Sequence, residues 1–299
     1  MHEQFFQELR RTGKSELTIK QYKSSLNRFE KWFNEQENYP LHTPDGYSHT
    51  LAQATEIDIG NFKRFAVNNY NTSTVRITLS HLRAYFDFLV SQNAIPDNPV
   101  KHIDNVTVAR NTPKWLNRNE QNALIRAVRR FGDIRELAII TTLLHTGLRV
   151  QELCDLKLTD IEIGERRGKL VVRRGKHNRR REVPLNNDVR RVLTSYLEER
   201  KDFGEYLFNS QRSEQMTTRA VQHMIQKYSK LTEIPTLTCH SLRHTFCHEL
   251  VQRRVPLDVV ARLAGHIKND GTPNIEQTLV YTQPGEEDLI RAVEELSWA

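Results

Sequence analysis

The sequence predicts a protein that is mainly α with a small antiparallel β-sheet, divided into two domains. Three observations predict it. Apolar residues recur every three or four positions through the first third of the chain and again from about residue 117, the period of helices with one buried face. A single stretch, 169–185, has strand character on both sides of the turn residues Gly175, Lys176, His177 and Asn178. Between the helical regions, Val106 to Pro113 has little periodicity and ends in proline, which reads as a linker; an ordinary loop inside one domain is the other reading. The expected division is a helical domain over 1–107, a linker at 108–113 and a second domain over 114–299.

Each element has its own signal. Ser15 caps a helix to about Phe33, with Tyr22, Leu26, Phe29 and Phe33 at helical spacing. Residues 40–50 are loop-like. A helix over about 58–70 turns Ile59, Phe62 and Phe65 inward, and another from near Ser73 carries the seam Leu79, Leu82, Phe86 and Leu89. Pro96 and Pro99 close it. A helix from near Asn117 runs through Leu124, Ile125 and Val128, and a strongly apolar one covers 134–146, where Gly147 ends it and Arg149 opens the next segment. Strands at 169–174 and 181–185 form a hairpin, and at least four more helices follow from Asp188. Glu286 to Trp298 carries Leu289, Ile290, Val293 and Leu296 at helical spacing, with Glu286, Glu287 and Asp288 suited to the first turn.

Composition narrows the class. The 299 residues allow two cores, and 37% hydrophobic with 27% charged residues describes a soluble globular protein. No apolar run approaches the roughly 20 residues of a membrane span, and Met1-His2-Glu3-Gln4-Phe5-Phe6 lacks a secretory start. A cytoplasmic protein without membrane contact is the expectation. Cys154, Cys239 and Cys247 make no disulfide framework and read as reduced, mostly buried residues. A net charge of +7 favours a polyanionic partner, of which nucleic acid is the commonest.

Four constellations carry chemistry. Arg166 to Arg181 contains nine Lys or Arg residues and no Asp or Glu. Phosphates neutralise such a run through charge-assisted bonds, so Arg173, Arg174, Arg179, Arg180 and Arg181 are candidate DNA contacts; a solvated basic edge strand is the other reading. Arg149 follows the turn at Gly147, with Glu152 on the same helix face to hold its geometry, although a surface ion pair would look the same. His240 and Arg243 lie one helical turn apart and can converge on one anion. His240, His244 and His248 share a face, but without a His-Glu-x-x-His motif or a fourth ligand, and with Arg243 among them, they do not read as a metal site; His244 and His248 are expected to pack or bond locally. Finally, His266 in Leu263-Ala264-Gly265-His266 precedes Tyr281, the only tyrosine after His240. A phenol with a pKa near 10 becomes a nucleophile only with suitable neighbours.

Together and in this order the motifs resemble the tyrosine recombinase (phage integrase) family of the Xer and Cre kind, over nearly the whole chain. The family pattern of Arg, Lys, His-x-x-Arg, His or Trp, then Tyr falls on Arg149, Lys176, His240 with Arg243, His266 and Tyr281, and Glu152 matches the acidic residue after the first arginine. Arg174 to Leu185 is similar to the family's Gly-Lys-Gly hairpin, with His177 in place of the second glycine. Thr18, Tyr22, Phe29 and the helix Thr74 to Leu89 resemble the family's core-binding domain. The interval from His266 to Tyr281, 281 − 266 = 15 positions, is longer than the family's, with the extra residues in a Gly/Pro/Asn/Asp-rich loop around Lys268 to Asn274.

The resemblance implies a C-shaped two-domain clamp on double-stranded DNA with paired inverted sites. It implies strand cleavage through a 3′-phosphotyrosine on Tyr281 and a homotetramer in the synaptic complex, with no cofactor and no metal. In relatives a tail such as 286–298 is exchanged between subunits; packing on its own domain is the alternative. Integration, excision and resolution of DNA elements all fit. A strand-relaxing enzyme of the type IB topoisomerase kind and a catalytically silent DNA-binding protein are the rival readings. The chain leaves no room for an additional N-terminal arm-binding domain, which favours a simple system.

Overall fold

A computed structural model describes residues 1–35, 51–107, 114–173, 180–201, 204–210, 213–268, 270–282, 290 and 293–296. The chain divides into two compact units, Met1–Arg110 and Asn111–Ala299.

The first unit is helical among its described residues. Helix α1 (His2–Arg11), not among the expected elements, packs Phe5, Phe6 and Leu9 inward. In α2 (Glu16–Asn34) the Ser15 hydroxyl accepts from the Thr18 amide, satisfying one of the donors every helix start leaves open. Leu26, Phe29 and Phe33 are fully buried, and Tyr22 is half-buried against the same core. Helix α3 (Glu56–Asn69) starts two residues earlier than its apolar period indicated, because Thr55 and Asp58 form a reciprocal capping box. Its inward residues are Ile59, Phe62 and Ala66, with Phe65 at the margin. Helix α4 (Thr72–Ser91), capped by Asn71, buries the whole seam Leu79, Leu82, Phe86 and Leu89. Each such large apolar side chain contributes about 1.5–3 kcal/mol when fully buried.

In the second unit, α5 (Arg118–Phe131) begins at an Asn117–Glu120 capping box. Helix α6 (Ile134–Thr146) is the central rod, with Ala138, Ile139, Ile140 and Leu143 fully buried. It stops at Gly147, whose φ of +61° only glycine adopts at little cost, and where a Cβ would also collide with Phe246. Helix α7 (Val150–Cys154) follows at once.

The sheet has three strands rather than the two of a hairpin. β1 (Ile161–Ile163) precedes β2 (Gly168–Val172) and β3 (Arg181–Pro184) in the antiparallel order β1-β2-β3. β2 ends at Val172, two residues before its expected end. Leu170 opposes Val183 on the buried face. β1 was missed because three residues are too few to show alternation. Helices α8 (Asn187–Glu199), α9 (Thr218–Leu231), α10 (Cys239–Gln252), α11 (Leu257–Ala264) and α12 (Ile275–Thr278) complete the unit. The loop at 40–50, the linker at 108–113, the hairpin tip at 174–179 and most of 286–298 lie outside the described residues. No described helix is long and apolar enough to cross a membrane.

Candidate active site

The site is organised by the C-terminus of α11. The last carbonyls of a helix have no partner within it and carry the negative end of its dipole. Here three consecutive carbonyls each receive a different arginine. Arg181 Nε donates to Leu263 O at 3.2 Å, Arg243 Nη2 to Ala264 O at 2.6 Å, and Arg149 Nη2 to Gly265 O at 3.2 Å. Arg243 also donates Nη1 to Gly147 O at 2.5 Å, so the guanidinium clips the end of α6 to the end of α11. Its residue is only 3% exposed.

Arg149 is the N-cap of α7, placed there by the reversal at Gly147. Its backbone amide donates to Glu152 Oε2 at 2.8 Å and its Nη1 to Oε1 at 2.9 Å. Burial by itself would raise the Glu152 pKa. The hydrogen bonds and charge of Arg181, then those of Arg149, outweigh it and hold the carboxylate at about 2.

Imidazoles and the tyrosine stand beside this layer. The His240 and His244 rings meet edge to face at 4.2 Å, His244 lies 5.2 Å from the Tyr281 ring, and His266 stacks on Tyr281 at 5.8 Å and 5°. Burial, followed by the charges of Arg243 and Arg149, lowers the His240 pKa. Burial and the same arginines push His266 down to about 3, and burial with His240 and Arg243 takes His244 to about 4. All three are therefore neutral near pH 7. Tyr281 sits on the 3₁₀ turn Leu279–Thr282, 3% exposed, in a small apolar cluster with Cys247, Val260 and Ala264. Burial raises its pKa, so the hydroxyl is protonated in this arrangement.

The long interval before Tyr281 folds back on itself. Ile267 bridges to Pro273, Lys268 N donates to Thr272 O at 2.9 Å, and Asn274 N donates to His266 O at 2.7 Å. The excursion leaves and returns at His266, so its length does not carry Tyr281 away.

The structure thus brings together Arg149, Glu152, His240, Arg243, His266 and Tyr281. Lys176, Arg174 and Arg179 lie outside the described residues. Among the other hairpin arginines, Arg180 is exposed, 3.6 Å from Glu182. Arg173 pairs with the buried Asp160 carboxylate and donates to Thr159 Oγ1 at 3.0 Å. Arg181, grouped with them by sequence, departs from that expectation: it turns inward and grips Glu152 with both Nη atoms, at 2.9 and 2.7 Å. His248 stacks on Trp115 at 4.0 Å, and no described cluster of three or more His, Cys, Asp or Glu residues could hold a metal.

A cavity of about 860 Å³ opens on Arg149, His240 and Arg243, and its far wall is the polar face of α9, with Arg219, Gln222, His223 and Gln226. In the sequence that face shows only as polar side chains at i, i+3, i+4 and i+7. Two guanidiniums, a buried carboxylate bonded to one of them and neutral imidazoles make an arrangement chemically suited to a phosphodiester. Such groups can neutralise a phosphate's charge and offer a base to take a proton.

Comparison with known proteins points the same way. Residues 114–286 match the phage integrase family, and residues 2–93 match the phage integrase N-terminal SAM-like domain. Tyrosine recombinase XerA of Thermococcus kodakarensis is 31% identical over 230 residues, 76% of this chain and 76% of its own. XerA of Pyrococcus horikoshii is 27% identical over 295 residues, 98% of this chain and 92% of its own. Among solved structures, XerH site-specific recombinase bound to palindromic difH substrate, a post-cleavage complex, superposes with a TM-score of 0.74 at 20% identity, covering 93% of this chain and 79% of that one.

Proposed function

The chain belongs to the phage integrase family and is a tyrosine recombinase, an enzyme that breaks and rejoins DNA at specific sites, and we propose that Tyr281 is its nucleophile, with Arg149, Lys176, His240, Arg243 and His266 completing the site. The observation that carries this reading is the convergence of Arg149 and Arg243 on the end of α11, directly before His266 and within the element group that holds Tyr281.

In the proposed reaction the Tyr281 oxygen attacks a DNA phosphorus. The bond to the 5′-oxygen breaks, and a 3′-phosphotyrosine and a free 5′-hydroxyl result. The tyrosine proton passes to a neutral imidazole, His240 or His266. Lys176 protonates the leaving 5′-oxygen. Arg149 and Arg243 neutralise charge that develops on the non-bridging oxygens, and His266, once protonated, adds a hydrogen bond. Attack by the 5′-hydroxyl of a partner strand reverses the steps and joins the new pair. Because Tyr281 is buried, DNA binding has to bring its hydroxyl out to the phosphate.

Double-stranded DNA with paired inverted sites is the proposed substrate. The first unit serves as a core-binding domain that clamps the duplex, and Arg173, Arg174, Arg179 and Arg180 contact its backbone. Synapsis proceeds in a homotetramer, with the tail 286–298 exchanged between subunits. Exposure of Ile290, Val293 and Leu296 supports that last point.

The test is a nicked duplex that traps the covalent product. Wild-type protein should form a denaturant-resistant DNA adduct in the presence of EDTA, and Tyr281→Phe should bind the same duplex without forming it. An adduct with the phenylalanine variant would sink the assignment, and loss on chelation restored by magnesium would point to a metal nuclease.

A further inference from the structure

Glu152 is used completely. Its Oε1 accepts from Arg149 Nη1 and Arg181 Nη1, both at 2.9 Å, and its Oε2 accepts from the Arg149 amide at 2.8 Å and Arg181 Nη2 at 2.7 Å. A lone i,i+3 partner would leave the carboxylate free to turn about its last torsion. The two parallel bonds from Arg181 fix its plane, as a fork-to-fork pair does and a point charge does not. The third Arg181 bond, to Leu263 O, seats it on the same helix end that receives Arg149 two carbonyls later. Gly265 makes the room: a Cβ there would lie 2.8 Å from the Arg181 Cζ and Nη1. The Arg181 side chain is 13% exposed, against 57% for Arg173 and 68% for Arg180.

We propose that Arg181 is a positioning residue for strand cleavage, aiming the Arg149 guanidinium through Glu152, and not one of the hairpin's DNA contacts. The proposal rests on the reading of Arg149 as a phosphate-binding arginine. Arg181 couples three segments that must keep register: the root of the hairpin that carries Lys176, the N-cap of α7, and the end of α11 just before His266. Its guanidinium also offsets the buried Glu152 charge, so that the carboxylate does not simply cancel Arg149 and leave a neutral pair where a phosphate must bind.

The experiment uses the full chain with Arg181→Met, Arg181→Lys, Glu152→Gln and the Arg181→Met/Glu152→Gln double variant. Two quantities are read on a nicked duplex: single-turnover adduct formation at saturating DNA, and binding across a salt series. Cleavage at saturation should fall on the order of 100-fold in both Arg181 variants, the loss typical of disturbing one preorganised group. Binding affinity and its salt slope should stay at the wild-type values, and the double variant should be no slower than the worse single one. Arg181→Lys keeps the charge without the fork, so it should bind normally and still cleave slowly; it carries the test if Arg181→Met does not bind at all. An unchanged rate with a salt slope reduced by about one would make Arg181 an ordinary phosphate contact and overturn the proposal. So would strictly multiplicative losses in the double variant. Arg149→Lys in the same assay separates the two levels. If it cleaves normally, the reading of Arg149 fails; if it is impaired while the Arg181 variants are not, only the positioning role fails.

Discussion

His266 Nδ1 lies 3.1 Å from the hydroxyl of Thr278, and that hydroxyl donates its one proton to Asn274 O, also at 3.1 Å. The hydroxyl therefore accepts from His266, which places the ring proton on Nδ1 and leaves Nε2 as a lone pair. In the resting site His266 is thus a proton acceptor. In the proposed reaction it would donate to phosphate only after it has taken a proton.

This bond predicts the behaviour of Thr278→Val. The substitution keeps the shape and leaves a buried Nδ1–H without a partner, a cost of about 1–3 kcal/mol. It also frees the tautomer. Adduct formation at saturating DNA should fall about tenfold or more with affinity for the duplex unchanged, because about 1.4 kcal/mol in a barrier is tenfold in rate. A variant that cleaves at the wild-type rate would show that Thr278 does not set the state of His266.

The buried histidines also predict how stability depends on pH. In the folded chain His266 titrates at about 3 and His244 at about 4, both below the 6.5 of an unfolded histidine. Between those limits the unfolded chain binds more protons, so stability rises with pH and is lost on acidification from about 6.5 downward. Glu152, held at about 2, adds its own loss only below about 4.5. Urea unfolding followed through Trp115, in a Trp32→Phe/Trp298→Phe background, should show stability already declining between pH 6.5 and 4.5. One proton is worth about 1.4 kcal/mol per pH unit. A flat profile above pH 4.5, with all loss below it, would mean that these rings are charged or solvated in the fold.

The cluster of Arg149, Glu152, His240, Arg243, His266 and Tyr281 was legible as an ordered set of motifs because phosphate chemistry restricts residue type. Few residue types bind and neutralise a phosphodiester, and the spacing of Arg149 with Glu152 and of His240 with Arg243 survives in the chain as i,i+3 pairs, the first of them after the turn glycine Gly147. The helices of the first unit were legible for the same reason, through the 3.6-residue period of Leu26, Phe29 and Phe33. What sequence could not reveal was which way a charged side chain points. Arg181 belongs to the same basic run as Arg180, yet one position of strand alternation turns it toward Glu152 and away from solvent. The three carbonyl bonds at the end of α11 were invisible as well, since backbone acceptors carry no residue identity. The strand β1 was too short for any period. Helix α1 shows its apolar face only in Phe5, Phe6 and Leu9, too short a pattern to stand out in the sequence.

The end of the chain makes the last prediction. Ile290, Val293 and Leu296 are 53%, 68% and 73% exposed in the single chain, three large apolar groups at helical spacing that nothing in the same chain covers fully. Burying such a side chain is worth about 1.5–3 kcal/mol, so a neighbouring subunit that covered all three would gain enough to bias assembly while leaving one subunit's grip on DNA untouched. Truncation after Gly285 should therefore weaken pairing of two DNA sites, seen as loss of the synaptic band in native gels, far more than it weakens binding to a single site. Recombination should fall in step with synapsis, and the rate of adduct formation by subunits already bound should fall less. Equal weakening of single-site binding and synapsis would show that the tail instead stabilises its own unit.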